Sequence, residues 1–240
     1  MPVRSPRRWA FIACLGIVLA VARPPDSNGA AVPESTAGPR SLVILGASYA
    51  QGWGTPALPG FDRVINRGVG GEETGDMLKR FAADVVAAKP DAVLIWGHVN
   101  NISRSSPDQL EATKRAARAH YAAMLQQARA AGIEVIFATE VPWTEPDGFL
   151  DIIRGWIGSL RGKQSYAARV SGHVHELNDY LRDLASREGC RLLDFEGVFA
   201  NEDGTRRNEF AADDGSHISQ AGYQALTAYA RRELGRRQGP

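Results

Sequence analysis

The strongest constraint on this chain is an alternation. From Ser41 onward, short apolar or β-branched runs are separated by longer segments with helical spacing. The runs are Leu42-Val43-Ile44-Leu45, Val64-Ile65, Ala92-Val93-Leu94-Ile95-Trp96, Ile133-Glu134-Val135-Ile136-Phe137 and Arg191-Leu192-Leu193. Between them, residues 74–88, 107–131 and roughly 166–187 repeat apolar side chains at helical intervals, residues 219–234 add a fourth helix, and Gly132 caps the second. Strands that are apolar on both faces are covered on both faces, which is the signature of a parallel sheet between helices. The expected fold is α/β: a three-layer α/β/α sandwich with a five-stranded, mainly parallel sheet of flavodoxin-like type. Ligands of such sheets collect beyond the carboxyl ends of the strands, so the residues that follow each strand are where chemistry is sought.

The first 22 residues differ from the rest. Arg4, Arg7 and Arg8 precede an apolar run from Trp9 to Ala22, roughly 21 Å long as a helix and short of the ~30 Å hydrocarbon core. Small residues at Ala20 and Ala22 followed by Arg23-Pro24-Pro25 give it the form of a signal peptide cleaved after Ala22. The expected product is an exported protein, periplasmic or secreted, that meets a membrane only if this peptide is left uncleaved. Residues 23–40 have the Pro, Gly, Ser and Ala content of a linker, and the folded domain is expected over 41–240.

Charge excludes some functions. With 28 Lys and Arg against 27 Asp and Glu, the net charge is +1, and the basic residues are scattered, so no nucleic-acid partner is expected. Removing the signal peptide leaves Cys190 as the one cysteine, so no internal disulfide forms and the fold rests on its core. Beside Leu192 and Leu193, Cys190 reads as a small apolar residue at the start of a buried strand.

Four segments follow strands. After the first stands Gly46-Ala47-Ser48-Tyr49-Ala50-Gln51-Gly52, where Ser48 is either a helix cap or a hydroxyl presented at the sheet's edge. After the second comes Asn66-Arg67-Gly68-Val69-Gly70-Gly71-Glu72-Glu73-Thr74, a tight loop or a source of free amides. The third strand leads into Trp96-Gly97-His98-Val99-Asn100-Asn101. Near the C-terminus, Asp213-Asp214-Gly215-Ser216-His217-Ile218-Ser219 sets an aspartate three residues before a histidine, the one histidine of five with an acid at that spacing. A loop that curls back lets the carboxylate hold one ring nitrogen and leaves the other facing outward.

Serine, glycine, asparagine and histidine in that chain order make the sequence resemble the SGNH hydrolase, or GDSL esterase, family, from Leu42 to about Ala230. The resemblance implies a serine carboxylic-ester hydrolase that works without a metal or other cofactor. It assigns Ser48 as nucleophile, His217 as base and Asp214 as its orienting acid. The oxyanion donors are then Ser48, Gly71 and Asn100, with Gly70 second choice to Gly71 because Gly71 directly precedes Glu72. Two departures stand out. Gly46-Ala47-Ser48-Tyr49 replaces Gly-Asp-Ser-Leu. The usual Gly-x-Asn-Asp becomes Gly97-His98-Val99-Asn100-Asn101, which leaves Asn100 and Asn101 as alternatives, Asn100 preferred because Asn101 stands where the aspartate would.

The residue types suit this chemistry. A serine hydroxyl needs a base of fixed tautomer, and the oxyanion of a tetrahedral intermediate needs preorganised donors. His173 and His175, two apart, are the one other spacing that suggests a metal, and on a helix they face different ways. Between the fourth strand and the third helix, Phe149, Leu150, Ile152, Ile153, Trp156, Ile157 and Leu160 recur at helical spacing. Either this is a helix packed on the core or it forms a lid in which Trp156 and Ile157, with Trp143, bind the substrate. Small-molecule or glycan esters are the expected substrates: lipid or short acyl esters, or acetylated sugars. The competing reading is a non-catalytic carbohydrate- or lipid-binding domain on the same scaffold.

Overall fold

Each strand divides its residues between two cores, as a period of two requires. Leu42, Ile44, Leu94, Trp96, Ile136 and Ala138 enter one core, and Val43, Leu45, Val93, Ile95, Val135 and Phe137 enter the other. The computed structural model describes residues 38–144, 166–202 and 204–236. The elements there are β1 (Ser41–Gly46), α1 (Ser48–Trp53), β2 (Arg63–Gly68), α2 (Thr74–Phe81), β3 (Ala92–Trp96), α3 (Val99–Arg104), α4 (Leu110–Ala130), β4 (Glu134–Ala138), α5 (Tyr166–Glu188), β5 (Arg191–Leu193), α6 (Phe195–Phe199) and α7 (Gln220–Gly235).

The five strands form one sheet in the order β2-β1-β3-β4-β5, and every pairing is parallel. α1, α6 and α7 bury Trp53, Phe195 and Leu226 against the first core, whereas α2 and α4 bury Met77, Phe81 and Met124 against the second. α5 reaches both, through Val174 and Leu177 on one side and Leu181 and Leu184 on the other. The doubly apolar strands therefore give the three layers that their sequence implies.

Several boundaries differ from expectation. The first long helix ends as α-helix at Phe81 and continues as a π-helical turn, Ala82–Val86. Met77, Phe81 and Val85, each four residues apart, are all buried in the second core. The wider winding of the π turn offsets the drift that an α-helix accumulates over such a spacing. α4 starts at Leu110 rather than at residue 107, and Gly132, with φ +70°, lies just beyond its end. Cys190 is a free thiol immediately before β5, and burial pushes its pKa up, against the opposing charge of Arg129. No described helix is long and apolar enough to cross a membrane. The expected signal peptide and most of the linker lie outside the described residues.

The sheet order reverses between β1 and β3, the place where such a sheet opens a crevice at its carboxyl end. Aromatic rings fill the floor beneath it. Trp96 at the end of β3 meets Phe195 at 4.9 Å, Trp53 at 5.8 Å and Tyr49 at 5.8 Å between centroids. These contacts fix α1, and hence Ser48 at its start, to the sheet.

Candidate active site

β1 ends at Gly46, Ala47 turns the chain, and Ser48 is the first residue of α1. Ala47 occupies the N-cap position and makes no side-chain cap bond, so the half-buried Ser48 is not the helix's cap. Its amide belongs to the first turn, where helix N–H groups have no intrahelical acceptor.

The loop before α7 curls as its spacing predicts. His217 Nδ1 lies 2.5 Å from Asp214 Oδ2, while Asp214 Oδ1 accepts the amides of His217 at 2.8 Å and Ser216 at 3.0 Å. Among the described residues, nothing is hydrogen-bonded to His217 Nε2. Desolvation pushes the Asp214 carboxyl up, but the bonds from the His217 amide and ring and from the Ser216 amide outweigh it and hold the group well below the usual carboxylate range. The acid therefore stays ionised at neutral pH.

Tyr49 brings this loop to the Ser48 turn. Its hydroxyl donates to the Ser216 carbonyl at 2.7 Å, and its ring meets the His217 ring edge-on with centroids 6.4 Å apart. The glycine loop reaches the same place, since the Val69 amide donates to the Gly46 carbonyl at 3.0 Å. Gly70 donates its amide to Gln51 Oε1 at 2.9 Å, and a methyl group on it would stand 3.9 Å from Ser48 Cβ. Gly71 takes a φ of +82°, and its carbonyl is held by Arg104 Nη1 at 2.5 Å. The Gly70 amide is thus occupied, whereas the Gly71 amide has no partner among the described residues.

The two asparagines do different work. Asn100, half-buried on α3, donates Nδ2 to the Glu72 carbonyl at 2.8 Å and so lies against the residue that follows Gly71. Asn101 is buried, and its Oδ1 accepts the Thr74 amide at 3.0 Å, bracing the start of α2. Glu72 is itself gripped through both oxygens by Arg80 Nε, at 3.0 and 2.8 Å.

Trp143 is half-buried. Its ring lies 5.8 Å from that of Tyr166, and its amide donates to Ser171 Oγ at 3.0 Å. Trp156 and Ile157 lie outside the described residues. His173 and His175 turn to carboxylates, His173 to Glu176 at 3.0 Å and His175 to Glu196 at 3.1 Å. No group of three or more metal-ligating side chains occurs among the described residues.

Residues 36–225 match the model of the GDSL-like lipase/acylhydrolase family. The chain belongs to this family. Its fold is also that of solved family structures. A GDSL-like lipase from Bacteroides thetaiotaomicron matches with a TM-score of 0.61 at 18% identity, over 82% of this chain and 88% of that one. A lipase/acylhydrolase from Enterococcus faecalis matches at 0.56 and 23% identity, over 82% and 96%. An acetylxylan esterase from Geobacillus stearothermophilus matches at 0.58 and 17% identity, over 82% and 94%. In sequence, an uncharacterized lipoprotein of Bacillus subtilis is 25% identical over 152 residues, a stretch that spans 62% of this GDSL-family chain and 60% of that relative's length.

Three residues at the site carry no sequence signal of their own. Arg206 is fully buried in a loop, Tyr49 replaces the family's usual leucine, and Glu140 lies buried just beyond β4. Glu140 Oε1 accepts the amides of His98 at 2.8 Å and Val99 at 3.4 Å, so it seats the start of α3. Burial pushes its carboxyl up to about 7, against the pull of the His98, Val99 and Val141 amides and of the Arg206 charge.

Proposed function

We propose that this GDSL-family chain is an exported serine ester hydrolase acting on small-molecule or glycan esters. The observation that carries the reading is the Asp214–His217 pair, joined at 2.5 Å through Nδ1 with Nε2 free of any partner among the described residues. Neutral His217 takes the Ser48 proton on Nε2 as Ser48 Oγ attacks the ester carbonyl, and ionised Asp214 stabilises the imidazolium that forms. The tetrahedral oxyanion is met by the amides of Ser48 and Gly71 and by one N–H of the Asn100 side chain. Its collapse passes the proton from His217 to the departing alcohol and leaves an acyl-serine. Water, deprotonated by His217, then attacks that ester and releases the acid. The N-terminal signal-peptide pattern supports export, as does the lipoprotein character of the Bacillus subtilis relative.

A fluorophosphonate should phosphonylate Ser48 of the folded protein, and p-nitrophenyl esters of graded length beside acetylated oligosaccharides should reveal the preferred acyl group and alcohol. Mass spectrometry locates the adduct, and for protein recovered from outside the cytoplasm it should read an N-terminal peptide beginning at Arg23. An adduct elsewhere, or none, overturns the assignment of the nucleophile.

A further inference from the structure

The Arg206 guanidinium is a buried cation at the meeting point of three segments. Nε donates to the Pro142 carbonyl at 2.7 Å, Nη1 to the His217 carbonyl at 2.5 Å, and Nη2 to the Ser216 carbonyl at 2.9 Å and to the Tyr49 hydroxyl at 2.8 Å. No carboxylate pairs with it directly among the described residues. Its charge is spent on carbonyl oxygens and a phenol, an arrangement that fixes direction better than it supplies binding energy, because a guanidinium offers a rigid planar fork of donors.

We infer that Tyr49 and Arg206 form a brace that sets the His217 ring against Ser48, making both of them positioning residues of this enzyme. The inference rests on the reading of Ser48 and His217 as nucleophile and base. Tyr49 is the residue after Ser48, so whatever holds its side chain also holds the turn that presents the serine. Its hydroxyl accepts from Arg206 and donates to the Ser216 carbonyl, one residue from His217. The same guanidinium holds the carbonyls of both loop residues, so the loop and the turn share one rigid partner. Asp214 fixes the rotation and tautomer of the imidazole, and the brace fixes where the ring stands. Burial pushes the Tyr49 hydroxyl up to about 12, against the lowering effect of Arg206, so it remains a protonated donor throughout the working range. A leucine at this position would supply no such link.

The test uses the full chain with Tyr49→Phe, Arg206→Lys and the double variant, assayed on p-nitrophenyl acetate well below the melting temperature. Misplacing a catalytic group by about 1 Å costs on the order of 100-fold. Tyr49→Phe should therefore lower kcat roughly 10- to 100-fold with KM little changed, and slow Ser48 phosphonylation in parallel. The double variant should be no slower than the worse single, because both substitutions break one device. Amide exchange of the 211–218 peptide should quicken in every variant. Tyr49→Phe alone decides the matter if Arg206→Lys does not fold. A Tyr49→Phe protein with wild-type kcat, or with loop exchange unchanged, overturns the brace while leaving the triad standing. Wild-type protein that forms no Ser48 adduct overturns the catalytic reading and the brace with it.

Discussion

Two adjacent side chains on a helix point about 100° apart, so Asn100 and Asn101 cannot serve one target. One amide hydrogen of Asn100 is engaged by the Glu72 carbonyl, which orients the group and leaves the second without a partner among the described residues. Asn100→Ala should fold normally and lose about 10²–10³ in kcat with KM little changed, as expected for a donor that acts on charge developing in the transition state. Asn101→Ala strips the buried Thr74 amide of its acceptor and should cost about 1–3 kcal/mol of stability, read as a lower melting temperature with kcat largely kept. Exchanged phenotypes would place the oxyanion donor at Asn101. The sequence left this pair open because its spacing from Gly97 is one residue longer than the family's. The Asp214 and His217 spacing was legible because it is a local geometry that any turn of the right length reproduces. Arg206 and Tyr49 were not, since nothing in the neighbouring sequence tells which arginine of a loop a distant phenol will cover.

At the scale of elements, α3 depends on a group borrowed from the segment just beyond β4. His98 is its N-cap and makes no side-chain cap bond, and the cap amides go to Glu140 instead. Burial, opposed by those amides, pushes the Glu140 carboxyl up from its ordinary 4.5 to about 7. Because the folded state binds this proton more tightly, the contribution to stability is full below pH 4.5 and is lost as the pH rises through 7. The loss amounts to about 3 kcal/mol at most. In Glu140→Gln the amide oxygen still accepts the two backbone N–H groups and nothing titrates. Melting curves between pH 5 and 8 should show wild type falling by up to about 10 °C and the variant changing much less; parallel curves would mean that folding does not raise the Glu140 pKa. The helices that the sequence showed clearly are those long enough to repeat a 3.6-residue period. α1, α3 and α6, of 6, 6 and 5 residues, are too short to do so, although the first two carry Ser48 and Asn100.

For the molecule as a whole, the sheet order sets the place of the candidate site by reversing between the paired strands β1 and β3, and two glycines let α1 settle close against their carboxyl ends. Gly46 and Gly68 face each other in the β1–β2 register. A methyl group on Gly46 would fall 2.2 Å from the Trp96 carbonyl oxygen, and one on Gly68 would fall 2.2 Å from the Gln51 amide nitrogen. Both obstacles are backbone, so no side-chain rotation relieves them. The doubly apolar runs made the layered architecture readable, but strand order is decided by such close approaches between distant segments, and a single glycine does not announce which backbone it will meet. Gly68→Ala should push α1 away from β2 and cost about 3 kcal/mol or more, near the upper range for overpacking, which lowers the melting temperature by roughly 6–12 °C in a domain of this size. Since α1 begins at Ser48, phosphonylation of the serine should slow in the fraction that remains folded. A Gly68→Ala protein with wild-type melting and labelling rates would show that α1 has room to shift and that the crevice does not depend on this contact.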